Sequence, residues 1–385
     1  MRILVLTQYF PPEVGAPQNR LFELAVRLQK SGADITVLTA MPNYPKMEIS
    51  SEYIGKYYSF EEMEGLKVHR SWIYVSKDKS IIKRLLNYFS FVISSFFIGM
   101  FKMGKFDYII CESPPLFLGI SAFFLKILKR SKLIFNVSDL WPESAEKLGL
   151  VSNRFLLSLS TKLEEFLYRN SAIISGQTQG IVNNISQRFP KKVVYWLPNG
   201  VDMNFYDISK INSDWRSINK FKESDFILLY AGIIGHAQGL EIILNAADKL
   251  KSFAEIKFVI LGNGPEKDSL LKLKEELNAA NVYFFDSVSK AQMPHIVKAI
   301  DASIVPLKKL DLFKGAIPSK IFENLAMKKP IILGVEGEAK ELFIDEGKSG
   351  LAFEPENASD LAEKILMLYK NQDLIIQFGE NGYNY

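Results

Sequence analysis

Lys320 and Glu323 follow a proline in the run Ile317-Pro-Ser-Lys-Ile-Phe-Glu323. Proline favours the first turn of a helix, so the run predicts a helix that carries both side chains near its start. An ammonium group and the N–H groups of a helix start can bind a diphosphate, and a carboxylate can accept hydrogen bonds from two ribose hydroxyls. These residues therefore predict a site for a nucleoside diphosphate. The alternatives are a solvated glutamate and a surface lysine.

Two glycine-bearing segments have the positions of phosphate-binding loops. Residues 231–240 follow a predicted strand and precede a predicted helix, so their glycines would let the backbone approach an anion. The residues that we assign to this loop are Gly232, Gly235, His236 and Gln238. Gly262 and Gly264 follow the next strand and predict a turn beside the nucleotide. The alternatives are tight turns and, for His236, a polar surface residue.

Carboxylates and a glycine mark strand ends in the first half of the chain. Asp139 follows the predicted strand at residues 133–137, Glu143 comes shortly after it, and Glu112 ends the preceding strand. A carboxylate at such an edge can accept the proton of an incoming hydroxyl, which predicts an acceptor site. Gly15 precedes a predicted helix and would let a ligand approach the backbone. The alternative for Gly15 is a flexible turn.

The sequence offers little that would bind a metal ion or nucleic acid. Its three histidines, His69, His236 and His295, are scattered, and no Asp-x-Asp pair stands at a strand end. No segment interleaves Arg with aromatic residues as nucleic-acid-binding surfaces do. We therefore expect charge to be stabilised by cations and backbone N–H groups, without a metal ion or a cofactor.

Short apolar runs alternate with amphipathic stretches along the whole chain, which is typical of parallel sheets with crossover helices. Five strands are predicted in the first half, at residues 2–7, 35–39, 108–111, 133–137 and 172–175. Five more are predicted in the second half, at residues 227–230, 257–261, 282–285, 302–305 and 330–333. A helix is predicted at residues 19–31, with Gly32 as its C-terminal cap. The predicted fold class is α/β.

The length of 385 residues favours two domains, with a seam at the Asn199-Gly200 turn that gives domains of 1–200 and 201–385. The first 198 residues carry 25 Lys and Arg against 16 acids, and the remainder carries 22 against 27. A basic first domain suits an anionic lipid or a phosphorylated substrate. The single cysteine, Cys111, ends an apolar run and predicts a buried, unpaired thiol.

Two apolar runs of the first domain have basic flanks. Residues 87–101 are rich in Phe and lie between Lys83-Arg84 and Lys102, and residues 116–128 end in Lys129-Arg130-Ser-Lys132. Both are shorter than the roughly 20 residues that span a bilayer. Aromatic helices with basic flanks are typical of proteins in a membrane interface, and the alternative is a pair of buried crossover helices. Residues 1–10 predict a strand rather than a secretory signal, so we expect a cytoplasmic protein on the inner face of the membrane.

Four segments together resemble a known family. They are Tyr9-Phe-Pro-Pro-Glu-Val-Gly-Ala16, Pro198-Asn-Gly-Val-Asp202, Leu261-Gly-Asn-Gly-Pro265 and Phe322-Glu-Asn-Leu-Ala-Met327. Over nearly its whole length the chain resembles the retaining glycosyltransferases of family four. The resemblance implies the GT-B fold, in which two Rossmann-like domains face each other across a cleft, the first binding the acceptor and the second the nucleotide sugar. It also implies that the family's final crossover helix is missing, because the chain stops about where that helix would begin.

The resemblance assigns roles to residues of the second domain. Glu323 would bind the ribose hydroxyls, Lys320 would face the diphosphate, and backbone groups near Val288 would contact the base. The family's upstream glutamate is replaced here by a glycine, so its loop would offer only backbone N–H groups. The residues of that loop are Gly315, Ala316 and Ile317.

Two further positions depart from the family pattern. Its phosphate-binding Arg and Lys are replaced by Ile233 and Gln238, which would leave the charge to His236 and Lys320. The histidine that the family places before its aspartate, facing the donor's 6-hydroxyl, is Ser138 here. A serine suits a 6-deoxy donor, because an imidazole against a methyl group would lose hydrogen bonds. The alternative is that Ser138 caps the next turn.

The runs Val137-Ser-Asp-Leu-Trp-Pro-Glu-Ser144 and Ile317-Pro-Ser-Lys-Ile-Phe-Glu323 resemble the branch that builds bacterial surface polysaccharides, including transferases of N-acetyl-L-fucosamine. The resemblance implies a retaining, metal-independent hexosyltransferase that moves such a sugar from UDP to a lipid-linked saccharide, in lipopolysaccharide O-antigen or capsule synthesis at the cytoplasmic membrane surface. The predicted catalytic residues are Asp139, Lys320 and Glu323. The predicted acceptor-binding residues are Ser138, Asp139 and Glu143. The alternatives are a UDP-sugar 2-epimerase of the same fold and a non-catalytic membrane-bound assembly scaffold.

Overall fold

The computed structural model describes residues 1–13, 15–44, 47–78, 80–147, 149, 151 and 153–385. The chain divides into two compact units, Met1–Pro198 and Asn199–Tyr385. Each unit holds one sheet of mainly parallel strands with apolar layers on both faces. The predicted α/β class with two doubly wound, Rossmann-like domains is therefore confirmed.

The first unit is built on an eight-stranded sheet. Its strands are β1 Arg2–Leu6, β2 Asp34–Ala40, β3 Tyr58–Met63, β4 Leu66–Ser71, β5 Tyr108–Ser113, β6 Lys132–Val137, β7 Ile173–Gly176 and β8 Val194–Trp196. Its helices are α1 Ala16–Lys30, α2 Ile81–Lys102, α3 Leu118–Lys129, α4 Glu143–Lys147, α5 Arg154–Asn170 and α6 Gln179–Arg188. The strand order is β3-β4-β2-β1-β5-β6-β7-β8, and among the described residues β3–β4 is the antiparallel pair.

The helices of this unit cover both faces of its sheet. On one face α1 buries Leu21 and Ala25 against the apolar strands. On the other face α2, α3, α5 and α6 bury residues such as Phe91, Leu125 and Leu167. Because both faces are covered, the central strands are apolar on both sides instead of alternating, as the sequence shows.

The second unit is built on a six-stranded parallel sheet. Its strands are β9 Phe226–Ala231, β10 Ile256–Leu261, β11 Val282–Phe285, β12 Ala302–Pro306, β13 Ile331–Gly334 and β14 Gly350–Ala352. Its helices are α7 Trp215–Ile218, α8 Glu241–Lys249, α9 Lys267–Glu276, α10 Met293–Ala299, α11 Lys320–Ala326, α12 Glu338–Lys340, α13 Ala358–Tyr369 and α14 Gln372–Asn384. The order β11-β10-β9-β12-β13-β14 is that of a Rossmann sheet, since numbering these strands by sequence gives 3-2-1-4-5-6.

All ten predicted strands are present, and four strands were missed. The missed strands are β3, β4, β8 and β14. Of these, β3 and β4 form a polar hairpin at the edge of the sheet, closed by Glu64 and Gly65 with positive φ angles of 50° and 79°. Cys111 is buried and unpaired, as predicted.

Helix α2 is longer than the apolar run from which it was predicted. Within the described residues it is the one helix whose length and composition would suffice to cross a membrane. It nevertheless packs on the sheet through a stripe that includes Asn87, Phe91 and Ser95. Its opposite side is exposed, so α2 is a crossover helix that is buried on one side only.

The last residues belong to a helix. Residues 379–384, near which the family's crossover helix was expected to begin, are part of α14. That helix packs on the second unit, because a Cβ added at Gly379 would lie 2.2 Å from the Lys328 carbonyl and one at Gly382 would lie 2.6 Å from Leu325. Small residues at these two positions therefore let α14 approach the end of α11.

Candidate functional site

The strand order of the second unit reverses between β9 and β12, and open α/β sheets bind ligands beyond the carboxyl ends of their strands at such a point. The chain leaving β9 passes through Gly232, and the chain leaving β12 leads to α11. These segments meet, because a Cβ added at Gly232 would lie 3.2 Å from Nζ of Lys320. The structure thus brings together two residues that the sequence analysis assigned to phosphate binding.

Lys320 lies in an unusual environment for a lysine. Its Nζ is 4.1 Å from the centroid of the Tyr230 ring, and the Tyr230 hydroxyl donates a hydrogen bond to the Ile233 carbonyl at 2.6 Å. Burial lowers the pKa of Lys320 to about 8, and the Glu323 carboxylate partly opposes this shift. An ammonium group that is costly to bury but kept at a ligand-binding edge is suited to an anion.

The helix predicted after Pro318 is α11, which begins at Lys320 with Ser319 as its N-terminal cap residue. Ile321 and Leu325 are buried in the core, whereas Lys320 and Glu323 remain partly exposed. The two polar residues are therefore held by a helix whose apolar residues fix its position. Glu323 is one helical turn from Lys320, close enough for both to contact one ligand.

The glycines of the two predicted phosphate loops allow those loops to pack against each other. A Cβ at Gly262, where φ is 150°, would lie 1.8 Å from the Gly232 carbonyl oxygen. A Cβ at Gly264 would lie 2.2 Å from the Ile234 carbonyl oxygen. The Ile234 N–H donates to the Asn263 carbonyl at 3.0 Å. Close backbone packing thus explains Gly262 and Gly264 without a ligand.

His236 and Gln238 lie in a short helical turn, residues 236–238, after this loop. The His236 ring is exposed and lies 3.3 Å from Nζ of Lys308, which follows β12. The two residues line a cavity of about 310 Å³ together with Glu241 and Glu266. His236 is therefore placed beside Lys308, whereas Lys320 contacts Tyr230. Lys308 was missed, although a lysine just beyond a predicted strand was a readable signal.

The loop before α11 provides fewer free N–H groups than expected. Gly315 ends a short 3-10 helix, and the Ala316 N–H donates to the Phe313 carbonyl at 3.0 Å. The Ala316 N–H would have to leave the Phe313 carbonyl to bind a sugar or phosphate, and its role stays a prediction. Ile317 is buried in the core beside α11.

Val288, near which the base was predicted to bind, follows β11. Its side chain packs partly on the core, and Ser289 begins the next helical turn.

A polar network lies at the carboxyl ends of the central strands in the first unit. Arg20 of α1 forms an ion pair with the buried carboxylate of Glu112 and donates a hydrogen bond to the Ser138 hydroxyl at 2.6 Å. The Ser138 hydroxyl donates in turn to Glu112. Asn136 donates to the same carboxylate and accepts from Ser175 at 2.7 Å.

The remaining predicted residues of the first unit lie within five residues of Arg20 or Ser138 in the sequence. The Asp139 carboxylate accepts a hydrogen bond from Ser144, and burial raises the pKa of Asp139 although that bond opposes the shift. Glu143 is 42% exposed and pairs with Lys147 along α4 at 2.7 Å. Gly15 is the N-terminal cap residue of α1, where a Cβ would lie 2.4 Å from the Gln18 amide oxygen.

Within the part of the chain that the structure describes, no group of three or more His, Cys, Asp or Glu side chains is arranged to hold a metal ion. Among the described residues, the cationic groups beyond the carboxyl ends of the strands include Lys320 and Lys308 in the second unit and Arg20 in the first.

Comparison with protein families shows that each half of the chain matches a glycosyltransferase model. Residues 15–200 match the model described as "Glycosyl transferase 4-like domain", and residues 212–385 match "Glycosyl transferases group 1". Together the two matches leave out only the first 14 residues and residues 201–211. The second match includes Gly232, Lys320 and Glu323, and the first includes the network around Glu112.

Two curated relatives carry informative names. A glycosyl transferase assigned to colanic acid biosynthesis, WcaI of Escherichia coli K12, is 28% identical over 99% of this chain and 96% of its own length. The N-acetylgalactosamine-N,N'-diacetylbacillosaminyl-diphospho-undecaprenol 4-alpha-N-acetylgalactosaminyltransferase of Campylobacter jejuni is 24% identical, over 58% of this chain and 55% of its own.

A solved structure has the same fold. HepE of Anabaena, crystallised with UDP-glucose, superposes with a TM-score of 0.71 over 100% of this chain and 94% of its own, at 16% identity. The superposition with HepE shows a shared fold. The two family matches identify the first and the second domain of this chain as glycosyltransferase domains. With a glycosyl transferase 4-like domain followed by a group 1 domain, the chain belongs to the GT-B glycosyltransferases.

Proposed function

We propose that the protein transfers a sugar from a UDP-sugar to a lipid-linked saccharide during synthesis of a bacterial surface polysaccharide, as in lipopolysaccharide O-antigen or capsule. The observation that carries the proposal is the placement of Lys320 against Gly232 and Tyr230, with Glu323 one turn further along α11. The names of the E. coli and C. jejuni relatives support the polysaccharide and the undecaprenol-linked acceptor. The UDP-glucose bound to HepE supports the donor class.

In this proposal the second unit binds the donor through charge and backbone. Glu323 accepts hydrogen bonds from both ribose hydroxyls, and the Lys320 ammonium group contacts the diphosphate. When the bond between the anomeric carbon and the diphosphate breaks, negative charge grows on the leaving oxygen. A preorganised cation beside that oxygen stabilises the transition state more than the ground state.

We propose that transfer proceeds with retention, on the face of the sugar that the diphosphate leaves. The acceptor oxygen forms the new bond to the anomeric carbon, and its proton passes to the departing phosphate oxygen. Asp139 and Glu143 then position the acceptor. The raised pKa of Asp139 supports this role, because a stronger base accepts a stronger hydrogen bond from an incoming hydroxyl.

The proposed donor is a 6-deoxy sugar, specifically UDP-N-acetyl-L-fucosamine. Support comes from Ser138, whose hydroxyl donates to Glu112 and accepts from Arg20. The hydroxyl has already given its one proton to Glu112, so it cannot donate to a C6 hydroxyl and can accept at most one further bond. A donor with a methyl group at C6 therefore leaves no hydrogen-bond donor of Ser138 unpaired.

A panel of UDP-sugars tests the donor and the reaction together. With an undecaprenyl diphosphate saccharide as acceptor, we expect turnover of UDP-N-acetyl-L-fucosamine to exceed that of UDP-N-acetylglucosamine and UDP-N-acetylgalactosamine. A 6-hydroxy donor whose C6 hydroxyl loses its hydrogen bonds on binding is disfavoured by about 1 to 3 kcal/mol, or roughly 5- to 150-fold in kcat/KM. Faster turnover of either 6-hydroxy donor would contradict the argument from Ser138.

The same assay separates the proposed transferase from the two alternative functions. Epimerisation of a UDP-sugar without acceptor would favour the epimerase, and no reaction with any donor would favour the scaffold.

We also propose that the reaction needs no metal ion. We expect EDTA to leave the rate of transfer unchanged, because cationic side chains and backbone N–H groups supply the charge that a metal would supply. The measurement is product formation before and after chelation, with Mg²⁺ or Mn²⁺ added back. A rate that falls with EDTA and recovers with either ion would disprove the proposal.

The proposed place of action is the inner face of the cytoplasmic membrane, where a lipid-linked acceptor is held. Helix α2 supports this because its outward side is apolar, with Ile82, Ile93 and Phe101 exposed by 66%, 57% and 72%. An exposed apolar strip beside basic residues is typical of a helix that lies in the membrane interface.

A further inference from the structure

A basic pocket lies at the edge of the first unit's sheet where the strands begin. Its volume is about 370 Å³, and it is lined by the cationic side chains of Arg2, Lys105, Lys129, Arg130 and Lys132 against the carboxylate of Asp107. Ser138 and Asp139 lie beyond the opposite, carboxyl ends of these parallel strands. The pocket is therefore separate from the acceptor residues proposed above.

Only part of this charge is used within the protein. Asp107 accepts a hydrogen bond from the Arg2 backbone at 2.8 Å and pairs with its guanidinium at 3.4 Å. Nζ of Lys129 donates to the carbonyls of Met100 and Met103 at 2.9 and 2.6 Å. By contrast, the side chains of Lys105 and Arg130 form neither an ion pair nor a hydrogen bond within the described ranges. The excess positive charge is therefore available to an anion.

The pocket adjoins an exposed apolar surface. The bonds from Lys129 join the end of α3 to the end of α2, and the Phe96 and Phe124 rings meet between the helices at 6.0 Å. Next to this junction Phe101 is 72% exposed and Phe124 is 50% exposed. Free cations and exposed phenylalanines thus share one rim of the unit.

We propose that this pocket binds the phosphate groups of anionic lipids while the phenylalanines at the ends of α2 and α3 enter the acyl region. This deepens the proposed membrane association and is independent of the sugar that is transferred. A soluble phosphate would satisfy Lys105 and Arg130 but would leave Phe101 in water. A bilayer with anionic headgroups satisfies both, because phosphates and acyl chains lie next to each other at its interface. The pocket would then set the depth and orientation of the first unit on the membrane.

Vesicle sedimentation with two pairs of substitutions tests the proposal. Lys105→Ser with Arg130→Ser should weaken binding to phosphatidylcholine vesicles that contain phosphatidylglycerol by about 30-fold, or roughly fivefold for each charge removed. Binding to pure phosphatidylcholine should not change. Phe97→Ser with Phe101→Ser should weaken binding to both kinds of vesicle. The matched control, Lys249→Ser with Lys272→Ser, removes the same charge from exposed positions of the second unit and should bind like the wild type.

Each result decides the proposal. If the pocket variant and the control bind anionic vesicles equally, the pocket is not a headgroup site. If inorganic phosphate binds the wild type in calorimetry but not the pocket variant, and vesicles do not compete with it, the ligand is a soluble phosphate and the lipid assignment is wrong. UDP binding and thermal unfolding are measured on every variant. A loss of vesicle binding with both unchanged supports the proposal and separates it from any failure of the donor assignment.

Discussion

Glu323→Gln is expected to lower the affinity of the protein for UDP by about 30- to 150-fold. The substitution keeps the size of the side chain and removes its charge. Each of the two proposed ribose bonds then changes from a charge-assisted bond, worth about 1.5 to 3 kcal/mol, to a neutral one worth about 0.5 to 1.5 kcal/mol. The loss for two bonds is about 2 to 3 kcal/mol. Isothermal titration calorimetry with UDP measures it directly.

A matched control separates ribose binding from a general effect of charge. Glu363 is an exposed glutamate on α13 of the same unit, so Glu363→Gln makes the same chemical change elsewhere. We expect its UDP affinity to equal that of the wild type. If Glu323→Gln also binds UDP normally, Glu323 does not contact the ribose, and the assignment of the donor site to α11 loses its main support.

The central strands could be predicted from sequence because burial on both faces gives them continuous apolar runs. Strands β3 and β4 could not, since an edge hairpin needs few apolar residues and is recognised only through its partner. The helix of Lys320 and Glu323 was predictable for a local reason, the proline before it. Its contact with Gly232 was not, because about 90 residues separate the two segments and the strand order that joins them is a property of the sheet.

The glycines show where sequence reasoning about the site is weakest. A glycine after a strand indicates a close approach to the backbone, but the sequence does not say by what. At Gly232 the neighbour is the Lys320 side chain, whereas at Gly262 and Gly264 it is the adjacent loop. Arg20 was missed for a similar reason, because its partner Glu112 is 92 residues away and an ion pair at that distance has no local signature.

The charge on Lys320 should have opposite effects on stability and on binding. Its pKa in the folded protein is about 8, below the ordinary value of 10.5. A lysine with a lowered pKa destabilises the folded state while it is protonated in both states, below pH 8. That cost shrinks between pH 8 and 10.5 and is absent above it. Because the side chain is partly exposed, we take the cost at pH 7 as about 1 to 2 kcal/mol.

Lys320→Met should therefore raise the free energy of unfolding at pH 7 by about 1 to 2 kcal/mol while lowering UDP affinity by about 10- to 150-fold. In the wild type UDP affinity should fall as the pH rises above 8, since the diphosphate binds the protonated amine, and in the variant this fall should be absent. The measurements are chemical unfolding and calorimetry with UDP at several pH values.

Lys329 provides the control, because burial also lowers its pKa to about 8 but it lies before β13, at the opposite edge of the sheet. Its Nζ donates to the Ile300 carbonyl at 2.7 Å. Lys329→Met should change stability and leave UDP affinity and its pH dependence as in the wild type. Equal UDP affinity in Lys320→Met and Lys329→Met would show that the lysine of α11 is a structural residue. A loss confined to Lys320→Met, together with a gain in stability, would show that the protein keeps a destabilising charge at this edge because the charge binds the diphosphate.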